Sequence, residues 1–223
     1  MDRHDYYLRT SPVFALAGEQ LYLEVIDDVQ TVRRCRWPSD EVIESVTVPL
    51  THAGCHIESF HVSPSGTWAT TERLSGQGEW GYDIFQTSPL QRLGGVDELR
   101  GFIREAPRFA ADESRIAVLA SRWLNWVQDE DEVPSDGGLV NIGWLYVHRL
   151  PDLTETDHEV VVKLPAGWKA ERKAEFWYLP RGVTPVGDGL RVGDWCGRVC
   201  DIPGPLPEVI VLPTPHPSGD GWL

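Results

Sequence analysis

The sequence predicts an all-β chain of successive four-stranded antiparallel meanders, and three observations predict it. Seventeen prolines and 21 glycines in 223 residues leave almost no three-turn stretch free of both, and neither residue is tolerated inside a long helix. Ten tryptophans suit half-buried pleated surfaces better than helices. Short apolar runs with period-two patterning recur, separated by Pro, Gly, Ser and Asp. The best helical stretch, 96–106, is split by Gly101.

The segment "FHVSPSGTWATT" (60–71) fixes the first corner. A strand-like run stops at Ser63-Pro64-Ser65-Gly66 and restarts at Thr67. Pro presets φ, Gly takes the positive-φ position, and Ser or Asp can bond its own backbone, so the segment predicts a hairpin turn. "FALAGEQLYLE" (14–24) and "FAADESRIAVL" (109–119) repeat it, with Gly18 where the second copy has Gly66. Phe14, Val62 and Phe109, which open the three corners, lie 48 and 47 positions apart, the period of a propeller blade.

Each unit then reads as four strands. The first runs through "SPVFALA", "QLYLEVI", "VQTVRRCRW" and "VIESVTVPL"; the second through "SFHVS", "TWATTER", "GYDIFQT" and "LQRLGGV". The third gives "PRFAA", "SRIAVLASRW", "IGWLYVHRL" and "HEVVVKL", and a diverged fourth gives "AEFWYL", "LRVGDW", "RVCDI" and "EVIVLP". The expectation is one β-propeller-like domain over 1–223 with blades at 8–50, 51–100, 101–165 and 166–213; a β-sandwich of the same strands is the alternative. An open arc of four blades exposes unpaired edges, so the ring either closes or is completed by a second chain as a homodimer.

These corners resemble the WD40-like and TolB-like β-propeller repeats, whose blades often carry a Phe-Ser-Pro-Asp-Gly corner before a Leu-Ala run. Val62-Ser63-Pro64-Ser65-Gly66 followed by Trp68-Ala69-Thr70 matches best, and Phe109-Ala110-Ala111-Asp112-Glu113 followed by Ile116-Ala117-Val118 is looser. No unit ends in the Trp-Asp dipeptide that names the WD40 family.

The formal net charge of −14 repels phosphate backbones and anionic lipid, so nucleic acid and membrane are not expected partners. The basic clusters Arg33-Arg34-Arg36 and Lys169, Arg172, Lys173 read as solvated faces. The N-terminal "MDRHDYYLRTSPVF" has acids and no apolar signal region, and no run approaches 18 apolar residues, so the expected location is cytoplasmic. Cys35, Cys55, Cys196 and Cys200 are then expected as free thiols.

In a propeller, the connections between second and third strands share one face with the linkers into the next blade. "LSGQGEWG" (74–81), "NWVQDEDEVPSDGG" (125–138) and "THAGCH" (51–56) would meet there. The expected partner-binding residues are His52, His56, Glu79, Trp80, Trp126, Asp129, Glu130, Asp131, Glu132 and Asp136. Together they make an acidic, aromatic-edged surface for a protein or peptide, a basic one by charge. Trp68, Trp123, Trp144, Trp177 and Trp195 read as packing between blades. The tail "PTPHPSGDGWL" reads as an extended strap.

No catalytic residue, metal or cofactor is expected. "DEDEVPSDGG" lacks the EF-hand order and is interrupted by Pro134. His52, Cys55, His56 and His61 lack paired zinc spacing, and Cys196 and Cys200 form only half a site. No G-x-S-x-G elbow or Gly-Lys-Ser/Thr phosphate cradle occurs. The reading is therefore a non-enzymatic binding or scaffold module. Its alternatives are a small hydrolase using His52 or His56 with acids of 129–136, and an assembly protein completed by a second chain.

Overall fold

Hairpin corners set the register of three sheets. The computed structural model describes residues 10–26, 30–49, 56–74, 80–96, 99, 102–103, 106–121, 139–153, 158–165, 180–194 and 199–211. Among these are seventeen strands and no helix, so the fold is all-β, built of propeller-like antiparallel sheets. Part of the stretch weighed as a helix instead supplies β9 (Phe102–Ile103), which pairs antiparallel with β11.

The chain divides into two compact units, 1–99 and 100–223. Unit one holds two four-stranded meanders. The first is β1 (Phe14–Leu16), β2 (Glu19–Ile26), β3 (Thr31–Arg36) and β4 (Glu41–Thr47); the second is β5 (His56–Val62), β6 (Trp68–Leu74), β7 (Trp80–Thr87) and β8 (Leu90–Val96). Unit two holds a larger sheet, β10 (Arg108–Phe109), β11 (Arg115–Ser121), β12 (Leu139–Arg149), β13 (His158–Pro165) and β17 (Val209–Val211), with β9 beside β11. Its second sheet is β14 (Pro180–Val186), β15 (Gly189–Asp194) and β16 (Val199–Ile202). Among the described residues four separate sheets stand where the sandwich alternative needs two.

Phe14 pairs with Leu21, Val62 with Ala69 and Phe109 with Ile116, each seven residues on. The three positions singled out by spacing are therefore equivalent points of three hairpins. In the second and third corners even the hydrogen bonds repeat. Ser63 accepts from the Gly66 N–H (2.9 Å) and Ala110 from the Glu113 N–H (2.9 Å). Ser65 Oγ accepts from the Thr67 N–H at 3.1 Å, and Asp112 Oδ1 from the Ser114 N–H at 3.1 Å. These are the local side-chain bonds that make Ser and Asp turn formers.

The fourth unit departs from expectation in two ways. "AEFWYL" lies outside the described residues, and the strand paired with β15 is β14, "PRGVTPV". Its prolines hide it from a strand pattern, but among the described residues β14 is the outer strand of its sheet, where missing N–H donors cost little. "EVIVLP" supplies β17, which is not the fourth strand of this sheet; it pairs parallel with β13 of the preceding one. Pro203, Pro205 and Pro207 between β16 and β17 withhold the N–H groups and torsional freedom that a return hairpin needs.

Packing in each unit is an apolar layer between its two sheets. In unit one, Phe14, Leu23, Val25, Val32 and Val46 of the first sheet meet Ile57, Phe60, Val62, Ala69, Phe85 and Leu90 of the second. In unit two, Ala117, Leu119, Leu145 and Val147 meet Val183, Leu190 and Val192, with Ile210 of β17 joining them.

Polar groups cross the same layers. The buried Arg34 donates to the Thr87 carbonyl at 2.5 Å and pairs with Glu44 at 3.2 Å. Glu44 also accepts from the Leu90 N–H at 2.6 Å, and Gln30 Oε1 from the Ile57 N–H at 3.1 Å. In unit two the buried Arg115 donates to the Gly189 carbonyl at 3.0 Å.

Gly66 has φ +78°, and a Cβ there would lie 2.8 Å from both the Ala15 carbonyl and the Phe14 ring. Gly66→Ala is expected to cost about 1–3 kcal/mol. Glu113 occupies the matching turn position at φ +55° with a side chain attached. Glu113→Gly is expected to stabilise by up to about 1 kcal/mol. Urea midpoints moving in opposite directions check both.

Candidate functional site

Two of the ten residues expected to bind a partner fall among the described residues. His56 opens β5, Trp80 opens β7, and both pair with Leu74 of β6, so one row across three strands carries them at one end of the second sheet. The half-buried His56 ring faces the Glu58 carboxylate. His52, Glu79, Trp126, Asp129, Glu130, Asp131, Glu132 and Asp136 lie outside the described residues, as do Cys55 and Cys196.

The buried carboxyl of the second sheet is structural. Asp83 on β7 is fully buried and lies 2.8 Å from Arg73 Nε on β6 and 2.6 Å from Arg92 Nε on β8. Thr71 Oγ1, directly across the ladder, donates to it at 3.3 Å. Burial pushes the carboxyl above its ordinary range while the two guanidiniums pull it back. An acid with no exposed surface and two fixed arginines holds strands together and does not reach a substrate.

Ser59, His61 and Glu72 invite a hydrolase reading, and the geometry opposes it. Ser59 Oγ at 3.3 Å and Glu72 Oε1 at 3.0 Å both meet the same ring nitrogen, Nε2 of His61. A nucleophile–base–acid relay needs the acid on the other nitrogen. Cys35 and Cys200 are free thiols, as expected. Burial, then Glu24, pushes the Cys35 thiol up to about 11, and burial raises Cys200 as well. Neither is a thiolate near neutrality. Among the described residues no group of three His, Cys, Asp or Glu could hold a metal, and no helix is long and apolar enough to cross a membrane.

A surface not singled out by sequence stands on the first sheet. Tyr22, Cys35 and Val42 form one row across β2, β3 and β4. A bulge at Arg34/Cys35 breaks the strand's alternation, so that both consecutive residues are buried. Beyond the row, in the β3–β4 turn, Trp37 is 51% exposed, and Val42 is 45% exposed. The Trp37 N–H donates to the Gln20 carbonyl at 2.9 Å, which fixes its backbone. The Tyr22 ring meets the indole in a T-shaped contact, centroids 6.4 Å apart at 83°.

Tyr22 OH donates to Asp40 Oδ1 at 3.0 Å, and burial followed by this bond keeps the phenol protonated well above its ordinary pKa. Asp40 holds φ +58°, a conformation Asp tolerates better than most residues. The signal in the sequence was "WPSD" (37–40), a large aromatic directly before a turn proline.

Comparison with known proteins points to no particular residue. No protein-family model matches the chain, and no curated protein matches it. Solved structures do. Prolyl oligopeptidase B from Galerina marginata matches at 13% identity and TM-score 0.49, over 88% of this chain and 30% of that one. The complex of KlAtg21 with the coiled coil of AgAtg16 matches at 10% and 0.45, over 90% and 54%. The Cps50 (Swd1) β-propeller domain of Myceliophteria thermophila matches at 10% and 0.42, over 86% and 52%. This chain thus spans about a third to a half of the lengths of these structures.

Two outcomes are expected. Asp83→Ala strands two guanidiniums and is expected to cost about 3–5 kcal/mol in urea unfolding. Asp112 sits below the ordinary carboxyl range because Ser114 donates to it, and Asp201 because Arg191 bonds and attracts it. A lowered folded value gives stability present above the unfolded pKa of about 3.9 and lost as pH falls through the folded one. Asp112→Asn and Asp201→Asn should therefore trail the wild type near pH 6 and converge with it in strong acid.

Proposed function

We propose that this chain is a non-enzymatic module that binds a protein or peptide, and that Trp37 anchors the bound segment. One observation carries the reading: a tryptophan half exposed to solvent, yet held in place by a backbone hydrogen bond to β2 and by a tyrosine that is itself tied to Asp40. Solvation favours covering an indole, and a pre-ordered one loses little entropy when covered, so such residues dominate binding energy where they occur. Val42 extends the apolar area.

The acidic loop residues Glu79, Trp80, Trp126, Asp129, Glu130, Asp131, Glu132 and Asp136, with His52 and His56, belong to the same proposal as a second contact surface. They are supported by charge and composition. The proposal also takes the four units 8–50, 51–100, 101–165 and 166–213 as blades of one propeller-like domain working in the cytoplasm. Completion of the ring by a second copy is read by light scattering.

The test selects short random peptides on the immobilised protein and measures their affinity for variants. Trp37→Ser is expected to weaken selected peptides by about tenfold or more with an unchanged unfolding midpoint. Equal affinity of Trp37→Ser for every selected peptide would defeat the reading, and so would turnover of any of them.

A further inference from the structure

We infer that the Trp37–Tyr22–Asp40 corner receives a cationic side chain, arginine or lysine, presented by an extended segment of a partner protein. The inference rests on the binding reading above and names what the site recognises.

The first argument is geometric. A T-shaped contact with one tyrosine occupies at most one face of the indole, and Trp37 keeps half of its surface in solvent. The π-face of an indole is the best cation acceptor among side chains. Tyr22 OH takes Asp40 Oδ1, so the carboxylate is steered to the rim of the same aromatic pair. A cation stacked on the ring can also meet the remaining oxygen, which has no partner among the described residues.

The second argument is electrostatic. The arginine of this face, Arg33, lies 3.9 Å from Glu24. Arg36 in the neighbouring strand position is engaged by Glu19 at 3.0 Å and by Glu41. Among the described residues of this face Asp40 is left as the acid without a cation of its own, in a chain whose formal net charge is −14. Such a field draws in cations and repels a second copy of this chain, a nucleic acid or an anionic membrane. Exposed Val42 offers an apolar bed for the aliphatic stem of Arg or Lys.

The experiment uses peptides selected from the random library on the wild-type protein, followed by calorimetry with the best of them. The expected result is enrichment in Arg or Lys, affinity falling as salt rises, and about a tenfold loss on Asp40→Asn. Replacing the peptide's key arginine by citrulline should give a similar loss without any change to the protein, so the outcome does not hang on how Asp40→Asn folds. Selected peptides lacking basic residues, or full affinity after both changes, overturn the inference. If those peptides still depend on Trp37, the binding reading survives without it. A concentration-dependent dimer abolished by Trp37→Ser would put a second copy on the surface and also overturn it.

Discussion

Every described sheet in this protein has at least one face that water cannot be left to solvate, and the pairing of sheets within each unit follows from that. A single meander of this size exposes a row of Val, Leu and Phe side chains, and burying them against a neighbour is the dominant favourable term. The layer is not purely apolar. Arg34 crosses from the first sheet to the Thr87 carbonyl of the second, and Arg115 crosses in unit two to the Gly189 carbonyl. An arginine committed to a backbone carbonyl has few alternative registers, so these bonds fix how one sheet faces the next where hydrophobic contact alone leaves sliding freedom.

The corner is the second constraint. Ser63–Gly66 and Ala110–Glu113 close with the same backbone and side-chain bonds although one is Pro-Ser-Gly and the other Ala-Asp-Glu. Glycine accepts the positive φ freely, glutamate does not, and the third corner keeps its shape because the flanking strands impose it. Gly66 has a further duty. Its missing side chain lets Phe14 and the Ala15 carbonyl of the first sheet come close, so a turn residue also sets an inter-sheet distance.

Charge inside the units is spent on architecture. Asp83 with Arg73 and Arg92, and Glu72 with His61, tie strands together within the second sheet. The half-exposed Trp37 is different in kind, because the contacts that order it, a backbone hydrogen bond to β2 and the ring of a tyrosine bound to Asp40, leave much of its apolar surface uncovered. Order without burial is what a binding anchor requires.

The sequence by itself determined the all-β class, the corners and the strands that flank them. Those signals are local: turn chemistry at Ser63-Pro64-Ser65-Gly66, alternation in "QLYLEVI", and spacing between Phe14, Val62 and Phe109 all act over a few residues or one repeat. Tertiary structure alone decided the rest. Whether "EVIVLP" closes its own sheet or joins β13 depends on a partner 48 residues away, Val161 opposite Val209, and no local pattern encodes that choice. Among the described residues "PRGVTPV" is the outer strand of its sheet, where its prolines are tolerated. Trp37 looked like one tryptophan among ten, since exposure is a property of what packs nearby and not of the residue or its neighbours in the chain.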